Sequence, residues 1–584
     1  MKGYNAMKRY WKYIKPYLPA FIIGPVLMIV EVIGEVVMPL WLRNVIDNGI
    51  NGGRGISYII TMGVTMVITA LCMMAGGVGG AFFAIKASSG FANDLRKDMF
   101  NKIQRFSFSN IDMYNTGSLI TRLTNDITQV QNMIQMLMRM ALRAPGMLIG
   151  ALIMAFALNA KLALVILCVI PLLGIAIYFI MKTAFPRFTA MQKKLDALNT
   201  ATQENLTNIR VVKSFVREEF ENNKFEKANN DLKDNTLKPI RIVILTMPVM
   251  ILAMNITTLA VVWFGGNQII TGSMTPGVLT AFVNYVVQIL MSLMFVSMII
   301  LIGSRALASA KRIDEVLRTD IDLTDDNASQ KDIIVEQGKI EFRGVYFKYY
   351  KNSEKWVLEN IDLVVNPGET VGIIGSTGCG KSSLVQLIPR LYDTDLGEVL
   401  VDDVNVKDYS LKNLRDGVGI VLQKNILFSG TIMENLKWGD EDADDDMVHQ
   451  YAEYAQAHGF VSSFKEGYET ELGQGGVNVS GGQKQRLCIA RTLLKRPRIL
   501  ILDDSNSAVD TATEARIRES FNNELKGTTK IIIAQRISSV IDADKIIVID
   551  DGRITGTGTH QELMQSCEAY TEIYYSQTDK KVTA

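Results

Sequence analysis

Six apolar segments in the first half of the chain constrain its fold most strongly, because each is long enough to cross a lipid bilayer. A helix of about 20 mostly apolar residues spans the hydrocarbon core. The segments lie at 18–42, 58–85, 133–157, 161–183, 240–266 and 277–303, and those near 133 and 240 have the least distinct boundaries. The first half is therefore predicted to be a membrane α-helical domain with six transmembrane helices and long cytosolic extensions.

The bulk composition agrees with a membrane domain joined to a second domain. The chain has 584 residues, of which 48% are hydrophobic and 21% are charged, and the apolar excess lies in the first half. A net charge of +1 gives no reason to expect nucleic acid as a partner. The five cysteines, Cys72, Cys168, Cys379, Cys488 and Cys567, are scattered, so no disulfides are expected and the second half suits a reducing cytoplasm.

The distribution of basic residues predicts the orientation in the membrane. Lys2, Lys8, Arg9, Lys12 and Lys15 precede the first apolar segment, and Lys and Arg are abundant in the two long links at 86–130 and 184–238. The links at 43–57, 158–160 and 267–276 contain few basic residues. Because basic links stay on the cytoplasmic side, both termini are expected in the cytoplasm of a multi-pass plasma-membrane protein. The two basic links should extend the membrane helices into the cytosol and end in short turns that can touch the second half of the chain.

The second half contains a phosphate-binding loop. Val371-Gly-Ile-Ile precedes Gly375-Ser-Thr-Gly-Cys-Gly-Lys-Ser382, which fits the pattern G-x-x-x-x-G-K-[ST] between a strand and a helix. Its glycines let successive backbone N–H groups point at phosphate oxygens, Lys381 supplies a positive charge, and the Ser382 hydroxyl suits Mg²⁺. The residues predicted to bind ATP here are Gly375, Ser376, Thr377, Gly378, Cys379, Gly380, Lys381, Ser382 and Ser383, with ATP and Mg²⁺ as cofactors.

A second motif, Asn478-Val-Ser-Gly-Gly-Gln-Lys-Gln-Arg486, lies before the apolar strand Ile499-Leu-Ile-Leu-Asp503. With these motifs, residues 338–584 resemble the ABC transporter family. The resemblance implies an α/β P-loop ABC-type nucleotide-binding domain and an ATP-hydrolysing translocase. Because the membrane domain is fused ahead of the ATPase domain, and because 111–126 and 204–215 look like intracellular loops of exporter-type members, the resemblance is to an exporter half-transporter.

The resemblance also assigns roles to single residues. Tyr349 matches the aromatic residue that stacks on adenine, with Tyr346 and Tyr350 as alternatives. Gln423 matches the Q-loop glutamine, and Asp503 matches the aspartate that holds Mg²⁺, so the expected metal-binding residues are Ser382, Gln423 and Asp503. Asp510 falls at the family's D-loop.

Two positions depart from the family pattern. Asp504 stands where a competent member has the glutamate that acts as general base, and Gln535 stands where the switch histidine is expected. The shorter aspartate places its carboxylate about 1.5 Å back from the attacking water, and such a misplacement can cost about 100-fold in rate. Glutamine carries no titratable proton. These residues predict a degenerate, slow-hydrolysing site; the alternative is a catalytic variant tolerated in a working homodimer.

The signature itself is intact, which predicts a partner. In this family each ATP lies between one chain's phosphate loop and the other chain's signature, so Ser480, Gly481, Gly482 and Gln483 can serve a partner's site. The chain therefore resembles the degenerate-site subunit of heterodimeric bacterial multidrug exporters, paired with a homologous half-transporter that has the missing Glu and His. The alternatives are a subunit of a lipid flippase or peptide exporter, or a nucleotide-gated regulatory subunit with little hydrolysis.

Charged residues within the membrane segments are candidates for a substrate cavity. Glu31 and Glu35 are four residues apart on one helix, as are Arg139 and Arg143 on another. Such groups usually face a cavity or a partner, so they predict either an acidic patch for cationic drugs or ion pairs that only fix the packing. The 28 methionines, many in these segments, suit a soft cavity wall for small hydrophobic substrates.

The expected domain organisation follows the composition. Residues 1–320 are predicted to form the transmembrane domain, 321–337 a linker and 338–578 the nucleotide-binding domain. Residues 579–584 are predicted to form a disordered tail.

Overall fold

The computed structural model describes residues 9–326, 328–503 and 510–578, apart from the side chains of 296–302, 304, 305, 511 and 578. The chain divides into two compact units. The first comprises Met1–Ile103 and Gly117–Arg318, and the second comprises Gln104–Thr116 and Thr319–Ala584. Asp504 and the predicted tail lie outside the described residues, as do Lys2 and Lys8.

The first unit is built from long helices. Six of the described helices are long and apolar enough to cross a membrane, as predicted. The helices of the first half are α1 (Arg9–Asn51), α2 (Gly55–Gln104), α3 (Phe108–Asp112), α4 (Thr116–Leu158), α5 (Ala160–Thr207), α6 (Ile209–Ser214), α7 (Glu218–Ile270) and α8 (Pro276–Arg318). The short helices α3 and α6 lie within the two basic links at 86–130 and 184–238, where the sequence predicted short turns.

Two of the membrane helices are interrupted within the two predicted segments whose boundaries the sequence left indistinct. Helix α4 has a turn at residues 141–142, and α7 has a turn at residues 244–245. Pro145 and Pro248 lie four residues after Ala141 and Ile244, and proline has no N–H with which to bond the carbonyl one turn earlier. The turns therefore follow from the positions of these prolines.

The core of the first unit forms where α1, α4, α5, α7 and α8 meet. Phe282 and Tyr285 of α8 are completely buried, and the Tyr285 hydroxyl donates to the Val36 carbonyl at 2.6 Å. Ala151 and Ala155 of α4 are also completely buried. Small residues at such positions let membrane helices approach closely.

The second unit contains three sheets. The strands are β1 (Ile340–Phe347), β2 (Leu358–Val365), β3 (Thr370–Gly375), β4 (Leu396–Val401), β5 (Val404–Asn405), β6 (Val418–Val421), β7 (Gly430–Thr431), β8 (Glu471–Leu472), β9 (Ile499–Asp503), β10 (Thr529–Ile533), β11 (Lys545–Asp550) and β12 (Arg553–Gly558). The central sheet has the order β12-β11-β3-β10-β9-β6, and its strands are parallel except for β12. A second sheet has the order β2-β1-β4-β5, and β7 pairs with β8.

The register of the central sheet determines where functional residues meet. Ile533 at the end of β10 pairs with Ile373 of β3 on one side and with Asp503 of β9 on the other. Parallel strands present their carboxyl ends at one edge, which is where open α/β sheets bind ligands. The loops that follow β3 and β10 therefore emerge side by side, next to Asp503 at the end of β9.

Nine helices of the described second half complete the unit, and with them the predicted fold class is confirmed. They are α9 (Lys381–Gln386), α10 (Leu411–Gly417), α11 (Ile432–Lys437), α12 (Asp445–Tyr454), α13 (His458–Ser462), α14 (Gly481–Leu494), α15 (Thr511–Glu524), α16 (His560–Ser566) and α17 (Glu568–Thr578). Completely buried residues such as Ile489, Leu500 and Tyr570 anchor these helices in the core.

A segment from the first half of the chain belongs to the second unit. Helix α3 lies within Gln104–Thr116, and its Asp112 carboxylate accepts a hydrogen bond of 2.7 Å from the Tyr392 hydroxyl. Asn110 donates to the Asp320 carbonyl at 3.1 Å, and the Ser107 and Ser109 hydroxyls both donate to the Asp322 carboxylate. The second unit is thus assembled from two separate stretches of sequence.

The predicted linker is also attached to the second unit. The Gln330 N–H donates to the Asp408 carbonyl at 2.9 Å, and the Leu411 N–H donates to the Asp325 carboxylate at 3.0 Å. Val335 is buried in the core that also contains Ile340 of β1 and Val418 of β6. These two hydrogen bonds and the buried Val335 side chain hold the described part of the predicted linker against the second unit.

Candidate functional site

The loop after β3 has the backbone that a phosphate-binding loop requires. Gly375, Gly378 and Gly380 have φ of 155°, 85° and 102°, in the region that disfavours side chains. A Cβ on Gly375 would lie 2.0 Å from the Ile549 carbonyl oxygen, and one on Gly380 would lie 2.9 Å from that of Val357. The glycines predicted from sequence are therefore needed both for the conformation and for the close packing of this loop.

Lys381 is held at the mouth of the same loop. Its Nζ donates to the carbonyls of Gly375 at 2.9 Å and Ser376 at 2.7 Å. The ammonium group therefore lies where terminal phosphate oxygens of a nucleotide would replace these carbonyls as its partners.

Two oxygen ligands suited to Mg²⁺ meet beside the loop. The Ser382 hydroxyl donates to the Asp503 carboxylate at 2.8 Å, and Asp503 is only 2% exposed. Mg²⁺ is usually held by one or two protein oxygens together with substrate phosphates and water. A hydroxyl and a carboxylate that already touch therefore fit this ion.

A cleft of about 440 Å³ brings these residues together with others predicted from sequence. It is lined by Tyr349, Val357, Thr377, Gly378, Gly380, Lys381, Ser382, Ser383, Gln423, Asp503, Ile533 and Gln535. Gln535 reaches the cleft because it follows β10, the neighbour of β3 and β9. Of the loop residues that do not line the cleft, Cys379 is buried, and the Ser376 hydroxyl lies 3.4 Å from the Asp550 carboxylate.

The structure distinguishes the three aromatic candidates. Only Tyr349 among them lines the cleft; its hydroxyl lies 2.8 Å from that of Ser383, and its ring packs edge-on against Tyr392 at 5.1 Å. Tyr346 packs against Trp356, and Tyr350 is 70% exposed. Burial raises the pKa of the Tyr349 phenol, so this ring stays neutral at physiological pH.

The signature residues form the beginning of α14. Ser480 is the N-cap: its hydroxyl accepts from the Gln483 N–H at 3.3 Å, while its own N–H donates to the Gln483 side chain at 2.9 Å. This capping box leaves the hydroxyl proton of Ser480 and the NH₂ group of Gln483 available as donors. The positive end of this 14-residue helix favours an anion at Gly481 and Gly482.

Asp510, predicted as the D-loop residue, caps α15. Its carboxylate accepts from the Thr513 N–H at 3.0 Å, and this bond lowers the pKa of Asp510. Asp504 lies outside the described residues, so the replacement of glutamate by aspartate is an observation of sequence alone.

Of the four charged residues predicted in the membrane segments, three form ion pairs and one, Arg139, is exposed. Arg143 Nη2 lies 2.6 Å from the Glu35 carboxylate and 3.2 Å from that of Glu31, so this arginine joins both glutamates. Arg139 is exposed, and no carboxylate among the described residues forms an ion pair with it. Glu31, Arg139 and Arg143 line a cavity of about 530 Å³ together with four methionines.

Several residues of the site were not predicted from sequence. Val357 and Ile533 line the cleft, Tyr392 supports Tyr349, and Gln577 contacts the loop that carries Gln535. Apolar residues at strand ends and single polar residues on a distant helix carry no local motif. Ile533 could have been found as the last apolar residue of the strand before Gln535.

The α/β unit carries a phosphate-binding loop, a carboxylate suited to Mg²⁺ and a signature that caps a helix. The same chain has six described helices long enough to cross a membrane. Together these features define a class of protein. It is the class of ATP-driven membrane transporters whose membrane and ATPase domains share one chain. Residues 21–293 match the family described as ABC transporter transmembrane region, and residues 358–507 match the family described as ABC transporter.

Similarity to known proteins extends over nearly the whole chain. It is 40% identical over 571 residues to the uncharacterized ABC transporter ATP-binding protein YfiB of Bacillus subtilis, covering 98% of each chain. It is 34% identical over 582 residues to a B. subtilis protein with the provisional name multidrug export ATP-binding/permease protein YgaD, covering 98% and 99%. The chain belongs to the ABC transporter family.

A solved structure shares the fold. A bacterial Atm1-family ABC exporter with ATP bound superimposes with a TM-score of 0.78 at 24% identity, covering 96% of this chain and 98% of that one. This chain thus has the fold of an ABC half-transporter, in which a membrane-spanning domain is fused to an ATP-binding domain.

Proposed function

We propose that this chain is one subunit of a heterodimeric exporter, that it binds ATP at a site of its own that turns over slowly, and that it lends its signature to the partner's competent site. The observation that carries the proposal is the position of Gln535. It lines the same cleft as Lys381 and Asp503, where the family resemblance calls for a histidine. Its carboxamide can hydrogen-bond a phosphate oxygen but cannot exchange a proton.

The cleft supports a defined set of roles in ATP binding. Tyr349 offers a ring face to adenine, Lys381 neutralises the terminal phosphates, and the Gln423 side chain lines the cleft near the magnesium-suited pair Ser382 and Asp503. When bound, Mg²⁺ neutralises charge on the phosphate oxygens. With Asp504 as a short base, these residues bind and orient ATP more effectively than they activate water.

The need for a partner is supported by apolar surface on each unit. On the first unit, the side chains around α6 that are exposed include Val211, Phe215 and Phe220, and they line a groove of about 610 Å³. Contiguous exposed apolar surface usually marks an interaction site. We propose that the partner half-transporter covers this groove.

A comparable surface lies on the second unit. Leu422 and Ile426 flank Gln423 and are exposed, and Phe428 stacks on Trp438 at 4.2 Å with both rings largely exposed. This surface adjoins the glutamine that lines the ATP cleft, so a partner segment seated on it would sense the state of the site. We propose the partner's cytosolic helices as its occupant.

The substrate is proposed to be a small hydrophobic or drug-like compound. The cavity beside Arg139 has walls of Met28, Met73, Met74 and Met140, and such flexible side chains adapt to varied apolar shapes. Since Arg143 already pairs with Glu31 and Glu35, the paired glutamates are less available to cationic cargo than their sequence positions suggested. The provisional name of YgaD supports export of drugs as the activity.

Purification of the chain alone and together with a half-transporter that has the Glu and His tests the asymmetric site. Alone, the chain should bind ATP and hydrolyse it slowly. The complex should hydrolyse ATP rapidly, and a Glu→Gln change in the partner should abolish this while Asp504→Asn should leave most of it. Rapid hydrolysis by the chain alone, lost in Asp504→Asn, would contradict the proposal.

A further inference from the structure

The last described helix reaches back to the loop that carries Gln535. Gln577, in the last turn of α17, donates from Nε2 to the Gln535 carbonyl at 2.8 Å and accepts at Oε1 from the Ile537 N–H at 2.9 Å. Both ends of one carboxamide are therefore occupied by the backbone two residues apart. A side chain that bridges a donor and an acceptor in this way fixes the loop in two places.

The helix that supplies Gln577 is firmly anchored. Tyr570 in α17 is completely buried, and its hydroxyl lies 2.8 Å from Nδ1 of His560 in α16. Cys567, between the two helices, is also buried. Gln577 therefore connects the loop to a part of the core that does not itself line the cleft.

The loop is also restrained on either side of Gln535. The Ala534 N–H donates to the Ile373 carbonyl at 3.1 Å, which fixes the end of the strand. Downstream, Arg518 donates to the Ser538 carbonyl at 2.8 Å. Between these two points Gln577 holds the backbone at the residue whose side chain enters the cleft.

We propose that Gln577 is a positioning residue for Gln535: by fixing the backbone at Gln535 and Ile537, it directs the Gln535 carboxamide at the terminal phosphate of bound ATP. This rests on the proposed function, in which Gln535 contacts that phosphate. Small displacements of a positioned group are costly. Loss of the bridge should therefore accelerate release of ATP from this chain's own site without disturbing the rest of the fold.

The test is a double-mutant cycle on the full-length chain in lipid nanodiscs. Gln577→Met keeps the length of the side chain and removes both hydrogen bonds, and Gln577→Glu keeps only the acceptor for Ile537. Each is made with Gln535 intact and with Gln535→Ala. Ser576→Ala is the matched control, because its hydroxyl bonds only the Ile573 carbonyl of its own helix.

The measurement is the dissociation rate of a fluorescent ATP analogue, with the melting temperature as a check on folding. With Gln535 intact, Gln577→Met should accelerate dissociation about fivefold, as expected for loss of ordinary hydrogen bonds, and Gln577→Glu should have a smaller effect. In the Gln535→Ala background neither change should matter.

Two results would overturn the inference and are distinguishable. If Gln535→Ala accelerates dissociation but Gln577→Met does not, or if Gln577→Met has the same effect in both backgrounds, Gln577 does not act through Gln535. If Gln535→Ala itself has no effect, the proposed contact of Gln535 with ATP fails and the positioning role fails with it.

Discussion

At the residue scale, the motif and its three-dimensional surroundings contributed different information about the ATP site. The phosphate-binding loop could be predicted residue by residue, because glycines at Gly375 and Gly380 are required by the backbone itself. The family pattern favoured Tyr349, but the sequence left Tyr346 and Tyr350 as alternatives. That choice depends on which ring packs against Tyr392 beside the cleft, and such packing is a tertiary property.

Substitutions at Tyr349 should separate its ring from its hydroxyl. Tyr349→Phe keeps the ring and loses only the contact with Ser383, so ATP affinity should change less than about threefold. Tyr349→Ala removes the stacking surface and should weaken binding about tenfold. Binding is measured by titration with a fluorescent ATP analogue. Tyr350→Ala is the control and should have no effect; equal losses for Tyr349→Ala and Tyr350→Ala would contradict the assignment.

Replacement of Arg143 by methionine should lower the stability of the fold far more than the same replacement of Arg139. Arg143→Met leaves Glu31 and Glu35 without their shared cation among membrane helices, which should destabilise the fold by about 3–5 kcal/mol. Arg139→Met removes an exposed charge and should leave stability nearly unchanged. Thermal unfolding in detergent measures both.

If the Arg139→Met variant were less stable than the Arg143→Met variant, Arg139 would be the residue that stabilises the fold. If instead Arg139→Met abolishes export of a dye while the protein remains folded, the cavity beside it is the site of transport. The matched pair therefore separates packing from cargo binding.

At the element scale, the membrane helices were predicted well and their interruptions only in part. Length and apolarity are sufficient to place a spanning helix, but the turns at 141–142 and 244–245 needed the positions of Pro145 and Pro248 to be read as breaks. A short turn in the first basic link that can touch the nucleotide domain was predicted, but the hydrogen-bond partners of α3 were not. Its membership of the second unit depends on hydrogen bonds to Tyr392 and Asp320 that join distant parts of the sequence.

The bond between α3 and Tyr392 can be removed without disturbing the aromatic cluster. Tyr392→Phe keeps the ring against Tyr349 and Phe108 and leaves the exposed Asp112 carboxylate to water. Hydrogen exchange should accelerate in residues 108–112 and remain unchanged in β1 and β4. A matched Tyr350→Phe variant should exchange like the parent protein, and unchanged exchange in α3 of Tyr392→Phe would show that the bond does not hold this helix.

At the scale of the whole molecule, the proposed function gives one chain a degenerate phosphate side and an intact signature side. A homodimer would therefore contain two identical slow sites, each completed by an effective signature. In this proposal the defect lies in two side chains, Asp504 and Gln535, while Lys381, Ser382 and Asp503 line the cleft as ATP binding requires.

Restoring those two side chains should therefore create an active homodimer. Asp504→Glu with Gln535→His should raise ATP turnover of the chain alone by about 100-fold, the usual contribution of a placed general base. Steady-state phosphate release measures the effect, and adding Lys381→Ala should abolish it. An unchanged rate would mean that the slow step lies outside this pair of residues.

The attachment of residues 104–116 to the ATP-binding unit affects how these proteins can be recombined. A crossover near residue 320 would combine the Asp112 of one transporter with the Tyr392 position of another, and would separate Ser107 and Ser109 from the carboxylate of Asp322. A chimera that exchanges ATPase domains between half-transporters should therefore transplant two pieces, one of them a short insert within the membrane half. Exchange of the ATPase domain as a single block should succeed only between half-transporters whose α3 residues already fit the new domain.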